Sequence, residues 1–219
     1  MTSAPPVRLP VLPRVPWWGL LSAVGAPVAL TGGWLWAGGS TRGYDPVRQT
    51  ISDLAAADAP SRWVMTVALV LTGLAHIVTA VGMRPADITG RVLLGVGGVA
   101  TLLVAWIPNS VAGRNVVGHM IVAYLAFATL SVWPAVIAVN RPDAPTVLRR
   151  RFGQVVAVVL GVLVLLTIAD IVTGGATLGL RERLLATAQA LAPLAVVAGL
   201  VLEKDPGSAA DPPRSPLSA

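Results

Sequence analysis

The run Phe152-Gly153-Gln154-Val155-Val156-Ala157-Val158-Val159-Leu160-Gly161-Val162-Leu163-Val164-Leu165-Leu166-Thr167-Ile168-Ala169-Asp170-Ile171-Val172-Thr173 carries one charged residue, Asp170, in twenty-two positions. As a helix it is about 33 Å long, enough to cross a hydrocarbon core of about 30 Å. Five further runs share this character, at about 18–38, 63–83, 91–107, 116–139 and 182–202. A 17-residue apolar run also suits a buried helix of a water-soluble protein, but six runs in 219 residues leave no polar remainder to cover them. Composition agrees, with 55% hydrophobic residues, 12% charged residues and a mean hydropathy of +0.75. The expected fold is all-α, a polytopic membrane bundle of six transmembrane helices.

Short connections at 84–90, 108–115, 140–151 and 174–181 make neighbouring spans antiparallel. Pro27, Pro134 and Pro193 fall inside spans one, four and six, where each should kink or locally open its helix. Residues 1–16 hold five prolines and are read as a disordered tail before a retained first span rather than as a cleaved signal peptide. The membrane domain is expected over 17–203, and a second disordered tail, rich in Pro, Ser, Asp and Ala, over 204–219. No cysteine is present, which excludes disulfides and thiolate chemistry.

A net charge of +6 would suggest nucleic acid in a soluble protein, but here the basic residues sit at span ends, so no nucleic-acid partner is expected. With the N-terminus inside, the cytoplasmic side takes Arg8, Arg14, Arg84, Arg91, Arg141, Arg149, Arg150, Arg151, Lys204 and Arg214, ten of the sixteen. The outer side takes Arg42, Arg48, Arg62, Arg114, Arg181 and Arg183. Ten against six places both termini in the cytoplasm of a multi-pass plasma-membrane protein, with the 149–151 run touching anionic headgroups.

Between spans one and two lies the densest polar segment, Gly43-Tyr44-Asp45-Pro46-Val47-Arg48-Gln49-Thr50-Ile51-Ser52-Asp53-Leu54-Ala55-Ala56. Asp45-Pro46 is a helix start, since the carboxylate accepts from free N–H groups and proline is pre-set for a first turn. Val47, Ile51, Leu54 and Ala55 then share one stripe, with Arg48, Gln49, Ser52 and Asp53 opposite. This spacing predicts a short amphipathic outer-face helix over 46–57. Its polar face is open to two readings, one turned to water and one turned inward over a pocket. Asn109, Asn115, His119, Asp170, Arg181, Glu182 and Arg183 reach the same face of the membrane.

This pattern resembles the "domain of unknown function 998" family of prokaryotic six-span membrane proteins, through Gly43-Tyr44, Pro46, Arg48 and Ile51-Ser52-Asp53-Leu54. A second family element, an aromatic-proline pair followed some ten residues later by histidine, is similar to Trp106-Ile107-Pro108-Asn109 and His119. Asn109 stands where the family carries an acidic residue, so no metal or carboxylate role is assigned there. The resemblance covers nearly the whole chain and implies the six-span fold. It brings no established activity.

Two kinds of chemistry suit these residues. Ser52, Asp53, His119 and Asp170 are the types of a nucleophile, a base and an orienting carboxylate, as in a membrane-embedded hydrolase using Ser52, Asp53 and His119. No G-x-S-x-G elbow or His-Glu-x-x-His pair accompanies them. The leading reading is a binding or accessory protein. Tyr44, Asp45, Arg48, Gln49, Arg181, Glu182 and Arg183 would take an anionic lipid headgroup or a small polar ligand. Membrane lipids are the expected partners, and neither a metal nor another cofactor is expected. His76, inside span two, reads as a core histidine bonded to a hydroxyl such as Thr72 or Thr79.

Overall fold

The computed structural model describes residues 12–110 and 116–203. Most of the expected N-terminal tail, all of the C-terminal tail, and Arg114 and Asn115 lie outside these residues. Among the described residues the chain is all helical and carries six helices long and apolar enough to cross a membrane. In chain order they are α1 (Trp17–Ser40), α3 (Arg62–Gly82), α4 (Ile88–Trp106), α5 (Val117–Val132), α6 (Arg150–Thr173) and α7 (Leu178–Leu202), with the single-turn α2 (Ile51–Leu54) between the first two. α1 packs on α3, α3 on α4 and α4 on α5, and α7 returns against α1. Side chains of all five meet around a central cavity. α6 stands outside this ring against α7 and the residues that follow α5, and its Val158 and Leu165 are 65% and 66% exposed, facing where lipid would lie.

Backbone contact sets the joint between α3 and α4. Gly73 of α3 and Gly98 of α4 face each other so closely that a Cβ on either would sit 2.7 Å from the other's carbonyl oxygen. Small residues suit this interface because lipid offers no hydrophobic drive for association, leaving close van der Waals contact to join the helices.

Pro134 locally opens span four as expected, and the clear departure from the sequence reading is in the first loop. Span four ends its α-geometry at Val132 and continues as a 3-10 turn over Trp133–Val136, where Pro134 removes a backbone donor. α1 and α7 run on through Pro27 and Pro193. The helix expected over 46–57 is shortened to Ile51–Leu54, because α7 takes the backbone groups that would have extended it. Arg183 donates to the carbonyls of Pro46 and Gln49, the amide of Leu180 to that of Val47, and Glu182 accepts from the Ile51 amide.

Overpacking a tight interface costs about 1–3 kcal/mol, and each kcal/mol shifts the melting temperature by about 2–4 °C in a chain of this size. Gly98→Val should therefore melt several degrees below the wild type in detergent. Gly161→Ala, with nothing within 4 Å of an added Cβ, should melt like the wild type. Equal melting of the two variants would contradict the packing.

Candidate functional site

A four-residue helix cannot hold itself, since helix nucleation is unfavourable by a factor of about a thousand. α2 is held first by its own cap. Thr50 Oγ1 accepts from the Asp53 amide at 3.0 Å, and the Asp53 carboxylate accepts from the Thr50 amide at 2.8 Å. The sequence Thr50-Ile51-Ser52-Asp53 carried this signal, which the 46–57 helix reading overlooked. Ahead of it, Asp45 Oδ1 accepts from the Val47 amide at 2.9 Å and Gln49 Oε1 from the Asp45 amide at 2.8 Å. Tyr44 Oη donates to the Thr50 carbonyl at 2.7 Å.

α7 then fastens the whole segment. Arg183, 5% exposed, spreads its guanidinium over the carbonyls of Pro46, Gln49 and Gly179, each at 2.8 Å, and donates to Tyr44 Oη. Its charge also lies 5.3 Å from the ring centroids of Trp34 and Tyr44. Gly179 lets the loop come this close, because a Cβ there would strike the Gln49 backbone. Arg181 is used elsewhere. It lies 3.4 Å from Asp170, 3.1 Å from Thr177 Oγ1 and 2.8 Å from the Leu166 carbonyl, and Thr177 donates to Asp170 at 2.7 Å. Together these bonds clasp the α6–α7 turn. Arg48 pairs with Asp45 at 3.6 Å in an exposed, solvent-screened contact.

Three of the expected side chains converge. Ser52 Oγ lies 3.2 Å from Glu182 Oε1 and 3.2 Å from His119 Nε2. Glu182 Oε2 accepts from the Ile51 amide at 2.6 Å, and His119 Nδ1 lies 2.7 Å from the Ile107 carbonyl. A carbonyl only accepts, so Nδ1 carries a proton, and the single Ser52 hydrogen then decides the rest. If it points to Glu182, the imidazole is charged and the carboxylate is not protonated. If it points to His119, the imidazole is neutral and the carboxyl donates to Ser52. Either way the three groups are neutral overall and share one mobile proton. Asp53 is turned to its cap and Asp170 to Arg181, so neither joins this cluster. Among the described residues no three His, Asp or Glu side chains are grouped to hold a metal ion.

Below Ser52 and Glu182 lies a cavity of about 60 Å³ inside the bundle, lined also by Thr72, His76, Thr101 and Gln189. The sequence reading did not find it, since its polar groups come from α3, α4 and α7 and meet only on packing. His76 is 1% exposed and does not make the hydroxyl bond expected of it. Thr72 donates to the Ala68 carbonyl and Thr79 pairs with Ser22, while His76 Nδ1 is left without a partner.

A family profile described as "Protein of unknown function (DUF998)" matches residues 23–199. No curated protein and no solved structure matches the chain.

Charge-assisted hydrogen bonds are worth about 1.5–3 kcal/mol each, so replacing Arg183 by Met should free the first loop and speed tryptic cleavage after Arg48 about tenfold or more. Timed digestion in detergent reads this out. Unchanged cleavage would show that Arg183 does not hold the loop.

Proposed function

The chain belongs to the DUF998 family of proteins of unknown function, a membership that brings no activity with it, and we propose that this integral membrane protein binds the polar end of a lipid or a small polar ligand at Ser52, His119 and Glu182. In this reading it is a plasma-membrane protein with both termini cytoplasmic and the first loop outside. The observation that carries the reading is the convergence of those three side chains over a cavity whose mostly apolar wall also carries Thr72, His76, Thr101 and Gln189. The arginines support a narrower ligand class than the sequence did. Arg181 and Arg183 are engaged with Asp170, Tyr44 and backbone carbonyls, so the groups left to meet a ligand are a carboxyl, a hydroxyl and an imidazole. These suit a neutral or amine-bearing headgroup better than an anionic one.

The 3.2 Å contact of Ser52 with His119 favours a second reading, a serine hydrolase. Against it stand the neighbouring amides. The Ile51 N–H is bonded to Glu182 and the Asp53 N–H to Thr50, so the donors an oxyanion would need beside Ser52 are engaged, and each such donor is worth about 3 kcal/mol of transition-state stabilisation. Binding is the better supported reading.

Ligand at 100 times its Kd stabilises a protein by about 2.7 kcal/mol. Phosphatidylethanolamine added to purified protein should therefore raise its melting temperature, phosphatidylglycerol should not, and Glu182→Gln should abolish the rise. Stabilisation by phosphatidylglycerol alone would overturn the ligand class, and an equal rise in wild type and variant would overturn the site. A fluorophosphonate probe should leave Ser52 unlabelled. Labelling lost in Ser52→Ala would instead establish the hydrolase.

A further inference from the structure

A buried imidazole nitrogen without a partner costs about 1–3 kcal/mol, yet His76 Nδ1 is left so beside a cavity lined with other polar groups. Those groups have spent their donors on protein atoms. Thr72 Oγ1 donates to the Ala68 carbonyl at 2.7 Å and Thr101 Oγ1 to the Gly97 carbonyl at 2.8 Å. Gln189 Nε2 donates to the Phe127 carbonyl and Ser131 Oγ, both at 2.9 Å. Left over are lone pairs on two hydroxyls, one amide oxygen and the Glu182 carboxyl. The wall is mostly apolar, and its few polar groups offer more acceptors than donors, so an occupant that bonds to them must bring donors. Water does so, and about 60 Å³ has room for a few water molecules.

The cavity is also one-sided. His76 lies fourteen residues from Arg62 and six from Gly82, so it stands about 21 Å below the first-loop end of α3 and about 9 Å from the other end. Towards that other end the bundle is filled by Met83, Leu94, Trp133 and Ile137, all 0% exposed. One turn beyond His76, Thr79 Oγ1 is already paired with Ser22 Oγ at 2.8 Å.

We propose that the cavity is a water-filled half-channel, entered past Ser52 and Glu182 and closed beyond His76, which admits small cations from the first-loop side to the interior of the membrane. Glu182 supplies the charge preference at the mouth: when the cluster gives up its shared proton, Glu182 is ionised beside a neutral His119, and no Lys or Arg lines the cavity to oppose it. His76 supplies the terminal hydrogen-bonding partner. The half-channel stands apart from the ligand reading, since it needs the cavity and its lining but no bound lipid.

The chain has no cysteine, so single thiols report without background. Thr72→Cys and Thr101→Cys place a thiol in the lining, and Leu74→Cys, on the lipid-exposed side of α3, serves as control. Arg48→Cys, labelled by an impermeant maleimide, marks the side on which the first loop lies. Silver nitrate in chloride-free buffer is applied to spheroplasts and to inverted vesicles, and the thiols that remain are counted with maleimide after denaturation. Silver should block Thr72→Cys and Thr101→Cys only from the side marked by Arg48→Cys, leave Leu74→Cys reactive, and act about tenfold or more slowly when Glu182→Gln is added. Two lining positions are used so that one variant failing to fold leaves the other to decide. Thiols that stay fully reactive in folded protein, or that are blocked equally from both sides, would overturn the half-channel. An unchanged rate in Glu182→Gln would overturn the cation preference.

Discussion

Two adjacent residues of α7 hold a segment that lies more than 130 positions earlier in the chain. Successive helical residues point about 100° apart, so Glu182 and Arg183 reach different parts of the first loop. The anion takes a backbone N–H and the cation takes backbone carbonyls, which is the only division their chemistry permits. An isolated charge in the middle of a membrane helix costs about 2.5–3.5 kcal/mol. Here first-loop backbone takes Glu182 Oε2 and Arg183 Nη1, although Arg183 Nε has no partner. Each side of this arrangement supplies what the other lacks, and α2, the cavity mouth and the Ser52 cluster all depend on it.

The six spans were legible because crossing a bilayer demands a length of apolar chain that a sequence displays directly. The polar segment was legible as a centre of chemistry for the opposite reason, its density of groups that cannot face lipid. Its apolar stripe was read well in part. Ile51, Leu54 and Ala55 are buried, whereas Val47 is 42% exposed because the backbone there follows Arg183 and Leu180 rather than a helix axis. No local pattern could report a competition for backbone groups decided by residues of the last span.

The same distinction separates the site residues. Ser52 and His119 were paired from the sequence in the hydrolase reading, whereas Glu182 was assigned to a ligand site and its contact with Ser52 was not foreseen. Asp53 and Asp170 attract attention in any search for carboxylates, yet each is occupied by a neighbour close in sequence, Thr50 in one case and Thr177 with Arg181 in the other. Thr72, His76 and Thr79 share one face of α3 by spacing alone. What they face follows from packing: Thr72 and His76 look onto a cavity shared with Thr101 and Gln189, and Thr79 meets Ser22 of α1.

The distance along the chain between Ile51 and Glu182 also has a meaning in time. Synthesis proceeds at about 5–20 residues per second, so α7 emerges roughly 7–26 s after α2, across a separation of 131 residues. Through that interval the first loop has its Thr50–Asp53 cap but none of its partners from the last span. The nascent chain therefore holds an unlatched, polar first loop until its final helix enters the membrane. Closure of the Glu182–Arg183 clasp marks completed assembly, and a chain truncated before it would present that loop to the proteases of membrane quality control.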